Sequence, residues 1–148
     1  MIIREAEQSD IPAMVKLLGE LFSIEKDFHF DREKHARGLS MMMENPGGRV
    51  IMNAVENGIA IGMCTGQMSV STVEGGWSLW IEDMIVSKEY RGKGIGTVLI
   101  DAVEKWGKSM HACRLQLLAD MDNTRALEFY KHDGWTRGNM VCLRKKLH

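Results

Sequence analysis

Tyr90-Arg91-Gly92-Lys93-Gly94-Ile95-Gly96-Thr97 stands between an apolar run of strand character and an amphipathic helical pattern. Three glycines alternate with longer residues, so the backbone can approach an anion and take up positive φ without a Cβ clash. Successive N–H groups of such a turn converge on a diphosphate, and the N-terminus of the following helix adds its dipole. The segment therefore predicts a strand, a diphosphate-binding turn and a helix, in that order. Two common nucleotide motifs fail on inspection. Gly92-Lys93 is followed by Gly94 rather than by Ser or Thr, and Thr97 stands where a dinucleotide fingerprint needs glycine. Neither ATP nor NAD is favoured.

Outward from that turn the chain alternates strand and helix patterns. Ile2 to Ala6 reads as a short strand, and Ser9 precedes a helix entered near Asp10, with Pro12 tolerated in its first turn. Met14, Val15, Leu18, Leu21 and Phe22 fall on one face of this helix, while Lys16 and Glu20 form an outward i, i+4 pair. A second helix spans Arg32 to Met43 and ends at Asn45-Pro46-Gly47-Gly48. Its methionines fill core or line a pliable pocket. Arg49 to Glu56 and Ile59 to Ser71 are predicted as strands joined by an Asn57-Gly58 hairpin turn. Trp77 to Val86 follows as a strand. A helix from Ile95 to Met110 carries Val98, Leu99, Ala102, Val103 and Trp106 at helical spacing, and Cys113 to Ala119 is a buried strand. Asp122-Asn123 caps a helix from Thr124 to Lys131, Gly134 ends it, and Met140 to Leu143 forms a last strand. The pattern predicts a mixed sheet covered by helices, an α/β (α+β) fold.

With 148 residues and no linker-like stretch, one domain over residues 1–148 is expected. A formal net charge of -1 offers no global field for nucleic acid or anionic lipid, so neither is an expected partner. The first residues lack a signal-peptide pattern and no run approaches a membrane span, which makes the cytoplasm the expected location. Cys64, Cys113 and Cys142 are far apart and read as buried thiols rather than disulfide or zinc ligands. His29, His35, His111 and His132 show no metal-ligand arrangement, so no metal is expected. Trp77, Trp80, Trp106 and Trp135 read as core or dimer packing before ligand wall. Arg144-Lys145-Lys146 reads as a solvated end.

Arg91, Gly94 and Gly96 match the signature Arg or Gln, two variable residues, Gly, one variable residue, Gly or Ala, and so this chain resembles the GNAT superfamily of N-acetyltransferases. The resemblance runs from about Trp80 to Trp135. It implies a mostly antiparallel mixed sheet of six to seven strands flanked by about four helices. It also implies acetyl-CoA as cosubstrate, held by Arg91, Gly92, Lys93, Gly94, Ile95, Gly96 and Thr97 at its pyrophosphate and by backbone groups of Met84, Ile85 and Val86 at its pantetheine. Asn123 corresponds to a cofactor-contacting Asn of the family, and Tyr130 to a Tyr that points at the cofactor sulfur. The block from Ile81 to Val86, together with Phe129-Tyr130, is most similar to the spermidine/spermine and thialysine acetyltransferase branch. In that branch Glu82 corresponds to a carboxylate near the amine and Glu25 to an acid that binds its distal end. Family members associate through sheet edges or last strands, which implies a homodimer.

An alkyl ammonium near neutral pH must lose a proton before it can attack a thioester. Glu82 and Asp83 are neighbours on a predicted strand, so they are expected on opposite faces with only one in the amine site. The resemblance favours Glu82, directly or through a water. A salt-bridge role for either acid is the alternative. A backbone N–H near Met84 or Ile85 would stabilise the oxyanion, a contribution of about 3 kcal/mol for one such donor. Tyr130 would protonate the departing thiolate, or else it only packs its ring. Arg91 and Lys93 side chains are further candidates for the phosphates. The expected activity is direct acetyl transfer to a primary amine of a small molecule. A protein or aminoacyl-tRNA acceptor, or a non-catalytic acetyl-CoA-binding module, remains open.

Overall fold

The computed structural model describes residues 1–44 and 47–148. In chain order the elements are β1 (Ile2–Glu5), α1 (Ile11–Ile24), α2 (Arg32–Glu44), β2 (Arg49–Glu56), β3 (Ile59–Ser71), β4 (Gly76–Val86), α3 (Ile95–Ser109), β5 (Ala112–Leu117) and α4 (Thr124–His132). Short helical turns stand at Gln8–Asp10 and Lys88–Tyr90. The chain divides into two compact units, Met1–Leu117 and Leu118–His148. All five strands and the first three helices belong to the first unit. No helix among the described residues is long and apolar enough to cross a membrane.

The strands lie in chain order across one sheet, antiparallel at each junction except β4 with β5. Asn57 at φ 51° and Gly58 at φ 77° supply the left-handed pair that a tight hairpin needs between β2 and β3. Between β4 and β5 the chain crosses over through α3, as a parallel pair requires.

Apolar faces decide which side each helix covers. Met14, Val15, Leu17, Leu18 and Leu21 of α1 and Leu39 of α2 pack with Ile51, Ala60, Met63 and Ile85 in one buried cluster. The other face meets α3. A Cβ on Gly66 of β3 would lie 3.0 Å from Leu79 Cδ1 and 3.1 Å from Val103 Cγ1, and one on Gly107 of α3 would lie 2.7 Å from Leu79 Cδ2. Glycine at both positions lets helix and sheet approach closely. The N-terminal end of α1 is fixed by Asp10, which accepts two bonds from Arg4 of β1 at 2.7 and 3.1 Å and one from Asn53 of β2 at 3.3 Å. The bond from Arg4 holds the buried Asp10 carboxyl below the usual carboxylate range, against the opposing effect of burial.

Several expectations need correction. Among the described residues the sheet has five strands, not six to seven, because Met140 to Leu143 forms no strand. β-Propensity shows that a segment suits a ladder but supplies no partner strand. The strand expected over Cys113 to Ala119 is Ala112–Leu117. Val98 is exposed, and the buried face of α3 is Ile95, Leu99, Ile100, Val103 and Gly107. Only Cys64 is a buried thiol; Cys113 and Cys142 are exposed. The expected helix terminator includes Asn45 and Pro46, which lie outside the described residues.

Gly66→Ala should destabilise the fold by about 1–3 kcal/mol, because its new methyl meets Leu79, Val103 and Val50, all buried. Urea unfolding measures this. An unchanged midpoint would show that the α3 face is loosely packed.

Candidate active site

The ladder between β3 and β4 breaks at one place. Cys64 pairs with Met84 and Gly66 with Ile81, so Thr65 alone opposes both Glu82 and Asp83. This is a β-bulge, and it resets the alternation of side chains along β4. Before it, Leu79 packs toward Gly66 and α3; after it, Ile85 packs in the cluster of α1 and α2. Two residues an even number of positions apart share a face on a regular strand. Here they do not, and Glu82 and Asp83 both fall on the face of Thr65 and Met63. The expectation that the two acids point to opposite faces is therefore corrected: a long-range register defect overrides strand periodicity.

Thr65 is buried and both bonds of its hydroxyl go to Asp83. It accepts the Asp83 N–H at 3.0 Å and lies 3.4 Å from Asp83 Oδ2, to which it donates. Asp83 is partly buried, while Glu82 is exposed. Burial, followed by the charge of Glu82, pushes the Asp83 carboxyl up to about 6, with the Thr65 bond opposing. An acid poised near neutrality can exchange a proton at working pH. Asp83 has this property, whereas the family resemblance pointed to Glu82. Cys64, one residue from Thr65, is driven the other way for a nucleophile: burial raises its thiol and keeps it protonated.

The same bulge marks the end of the β4–β5 ladder. The last paired residues are Ile81 and Leu117, and β4 continues through Glu82 to Val86 with β3 alone beside it. The Ser87 N–H bonds the Ile61 carbonyl, which puts Ile85 in the hydrogen-bonded pair with Met63. It is therefore the backbone of Met84 and Val86, and not of Ile85 as expected, that points away from β3, and among the described residues it has no strand partner on that edge. The Val86 carbonyl is the exception, because Arg91 Nε donates to it at 2.7 Å.

Beyond β4, Gly92 at φ 77° and Gly94 at φ 79° occupy the left-handed region, where other residues are strained. A Cβ at either glycine would meet nothing within 4 Å, so the loop surface is bare backbone. The first amide of α3 to find an acceptor is Val98, bonded to the Gly94 carbonyl at 3.2 Å. The amides of Gly94, Ile95, Gly96 and Thr97 precede it and have no acceptor among the described residues. This run of amides on an open glycine surface, at the start of a helix of 15 residues, fits a diphosphate. The side chains expected at the phosphates are engaged elsewhere. Lys93 Nζ sits 5.2 Å from the centre of the Tyr90 ring, and Arg91 lies 3.5 Å from Glu20 of α1. Glu20 accordingly does not form the outward pair expected with Lys16.

Glu25 is the C-terminal cap residue of α1, its N–H bonded to the Leu21 carbonyl at 3.0 Å. Nearby, Phe22 contacts Phe28 and His35, whose ring centroids lie 5.5 and 4.9 Å away. In the second unit, Asn123 caps α4 by accepting the Ala126 N–H at 3.2 Å. Tyr130 stacks edge-on against Phe129 and Trp135, with ring centroids 5.2 and 5.7 Å apart. Among the described residues no cluster of His, Cys, Asp and Glu is arranged to hold a metal ion.

A sheet that releases β4 from β5 beside a glycine loop and a free helix start agrees with what family comparison gives. The model of the acetyltransferase (GNAT) family matches residues 11–135, and the chain belongs to that family. Among curated relatives, streptothricin acetyltransferase A of Bacillus subtilis (strain 168) is 35% identical over 91 residues, which cover 61% of this chain and 49% of the relative. The chain thus spans about half the length of that protein. Thialysine N-epsilon-acetyltransferase of Mus musculus is 26% identical over 140 residues, 89% of this chain and 82% of the relative. Among solved structures, aminoglycoside N-acetyltransferase AAC(6')-Iy in complex with CoA superposes with a TM-score of 0.84 at 17% identity, covering 99% of this chain and 95% of the other. At that identity the likeness is one of fold.

The raised Asp83 pKa makes stability depend on pH. Between its ordinary value of 3.8 and about 6 the native state keeps a proton that the unfolded chain has released. Stability contributed by this group is complete below the lower value, declines as pH rises, and is lost above about 6. Asp83→Asn should therefore match the wild type at about pH 4 and exceed it at about pH 8 in denaturant unfolding. An equal difference at both values would remove the titration of Asp83 as its cause.

Proposed function

We propose that this chain is an acetyl-CoA-dependent N-acetyltransferase that transfers the acetyl group directly to a primary amine of a small molecule. The observation that carries this reading is the run of unclaimed amides from Gly94 to Thr97 beside the released stretch of β4, in a chain of the acetyltransferase family. When bound, acetyl-CoA supplies an acetyl thioester. The loop from Gly92 to Thr97 would hold its diphosphate through backbone N–H groups, and the free edge at Met84 and Val86 would hold its pantetheine arm. The names of the relatives, a streptothricin and a thialysine acetyltransferase, support an amine on a small molecule and leave the polyamine branch as one option within it.

The acceptor arrives as an ammonium ion and must lose a proton. In this proposal Asp83 takes that proton on its carboxylate, and Glu82, on the same face, attracts the cation and passes the proton on to solvent. An amide of the free β4 edge donates to the oxygen on which negative charge develops, without reorganising. Tyr130 Oη carries the proton that the departing sulfur needs, since a phenol remains protonated at neutral pH. No cysteine nucleophile enters, in keeping with the buried and protonated thiol of Cys64.

Release of free thiol from acetyl-CoA in the presence of a panel of small primary amines tests the activity. Turnover of at least one amine is expected; turnover of none, with a peptide N-terminus or lysine accepted instead, would overturn the small-molecule assignment. Tyr130→Phe should lower kcat on the order of 100-fold while the acetyl-CoA KM stays near the wild-type value. An unchanged kcat would remove Tyr130 from the proton-donor role. The acidic limb of kcat/KM should follow a group titrating at about 6 and disappear in Asp83→Asn. A limb that persists in that variant assigns the proton to another group.

A further inference from the structure

We infer that Glu20 of α1 is the positioning residue of the cofactor loop and that Arg91, the basic residue of the glycine signature, braces this loop instead of binding phosphate; the inference rests on the acetyl-CoA reading of the loop. One carboxylate gathers three donors from the segment that joins β4 to the glycines. Glu20 Oε1 accepts from Ser87 Oγ at 3.3 Å, and Oε2 accepts from the Lys88 N–H at 3.1 Å and lies 3.5 Å from Arg91 Nη2. Arg91 in turn donates from Nε to the Val86 carbonyl at 2.7 Å, and the Tyr90 N–H donates to the Ser87 carbonyl at 2.9 Å. The segment from Val86 to Arg91 is thus closed on itself and tied to α1.

The geometry decides between two roles for Arg91. A phosphate ligand presents its guanidinium fork outward, with its charge uncompensated. Here Nε is spent on the strand that the loop leaves, Nη2 faces a carboxylate, and the side chain is largely covered at 23% exposure. The positive charge is balanced inside the protein. What remains for the ligand is the backbone of Gly92 to Thr97, and its usefulness depends on being held in place beforehand. Ordering a loop at the moment of binding costs affinity, and a loop ordered in advance avoids that loss. Glu20 provides the order, because it is the one group bonded to both the Lys88 amide and the Arg91 side chain. α1 is itself fixed to the sheet by Asp10 and Arg4, so the tie reaches a rigid part of the fold.

The test compares Glu20→Ala, Glu20→Gln, Arg91→Ala and the Glu20→Ala, Arg91→Ala pair. In the ligand-free protein, 15N relaxation should report increased motion from Lys88 to Thr97 in Glu20→Ala, with α3 beyond its first turn unchanged. Unaltered relaxation of that loop would overturn the inference. Acetyl-CoA affinity, measured by calorimetry, should fall about tenfold in each alanine variant and no further in the pair. Glu20→Gln, which keeps an acceptor for Lys88 and Ser87, should recover most of the loss, and the amine KM should not move. Losses that multiply in the pair would mean that Arg91 acts on the phosphate independently of Glu20, and the inference fails. Should the wild type itself bind no acetyl-CoA, the cofactor reading falls, while relaxation of the free protein still decides the role of Glu20.

Discussion

The site depends on a single mismatch: one residue of β3, Thr65, set against two of β4. The bulge does three things at once. It turns the odd-numbered side chains of β4 from the α3 face to the α1 face, it coincides with the last pairing between β4 and β5, and it brings Glu82 and Asp83 to one side of the sheet. A regular β3–β4 ladder would keep the odd-numbered side chains on one face and separate the two acids. The cost of breaking the ladder is limited by the Thr65 hydroxyl, which accepts the Asp83 amide that loses its strand partner.

A second layer of organisation surrounds the loop after β4. Its glycines leave bare backbone, its first helical amides are unclaimed, and the adjoining segment is tied down from below by Glu20 and Arg91. Charge in this part of the molecule is used mainly inward. Arg91 faces Glu20, Lys93 lies over Tyr90, and the proposed recognition of an anion would fall to N–H groups and the helix dipole. On the proposed reading, such a site would select a diphosphate by shape and hydrogen bonding with little long-range attraction, which suits a chain of net charge -1.

Local signals were legible in the sequence because their causes are local. Asn57-Gly58 announced its hairpin, Asn123 its cap, and the glycines after Tyr90 their turn, since each depends on φ preferences or on a bond three residues away. The family resemblance also identified the loop and the strand before it. What the sequence could not disclose depends on register between distant segments. The Thr65 bulge appears only when β3 and β4 are aligned, so strand periodicity put Glu82 and Asp83 on opposite faces, and the choice of Glu82 came from the family resemblance. Glu20 lies 68 positions before Lys88, and its helical spacing to Lys16 suggested an ordinary surface pair. Met140 to Leu143 carries the composition of a strand, but a strand requires a partner that composition does not specify.

The central claim is that a backbone surface, the amides from Gly92 to Thr97 with the free edge of β4 at Met84 and Val86, receives the cofactor. Titration of the 15N-labelled protein with coenzyme A, followed through backbone amide shifts, tests this most directly. The account predicts the largest shifts at Gly94 to Thr97 and at Met84 and Val86, with little change at the helix-end residues near Glu25. Binding that leaves those loop amides unmoved while shifting residues around Glu25 or Phe28 would contradict it.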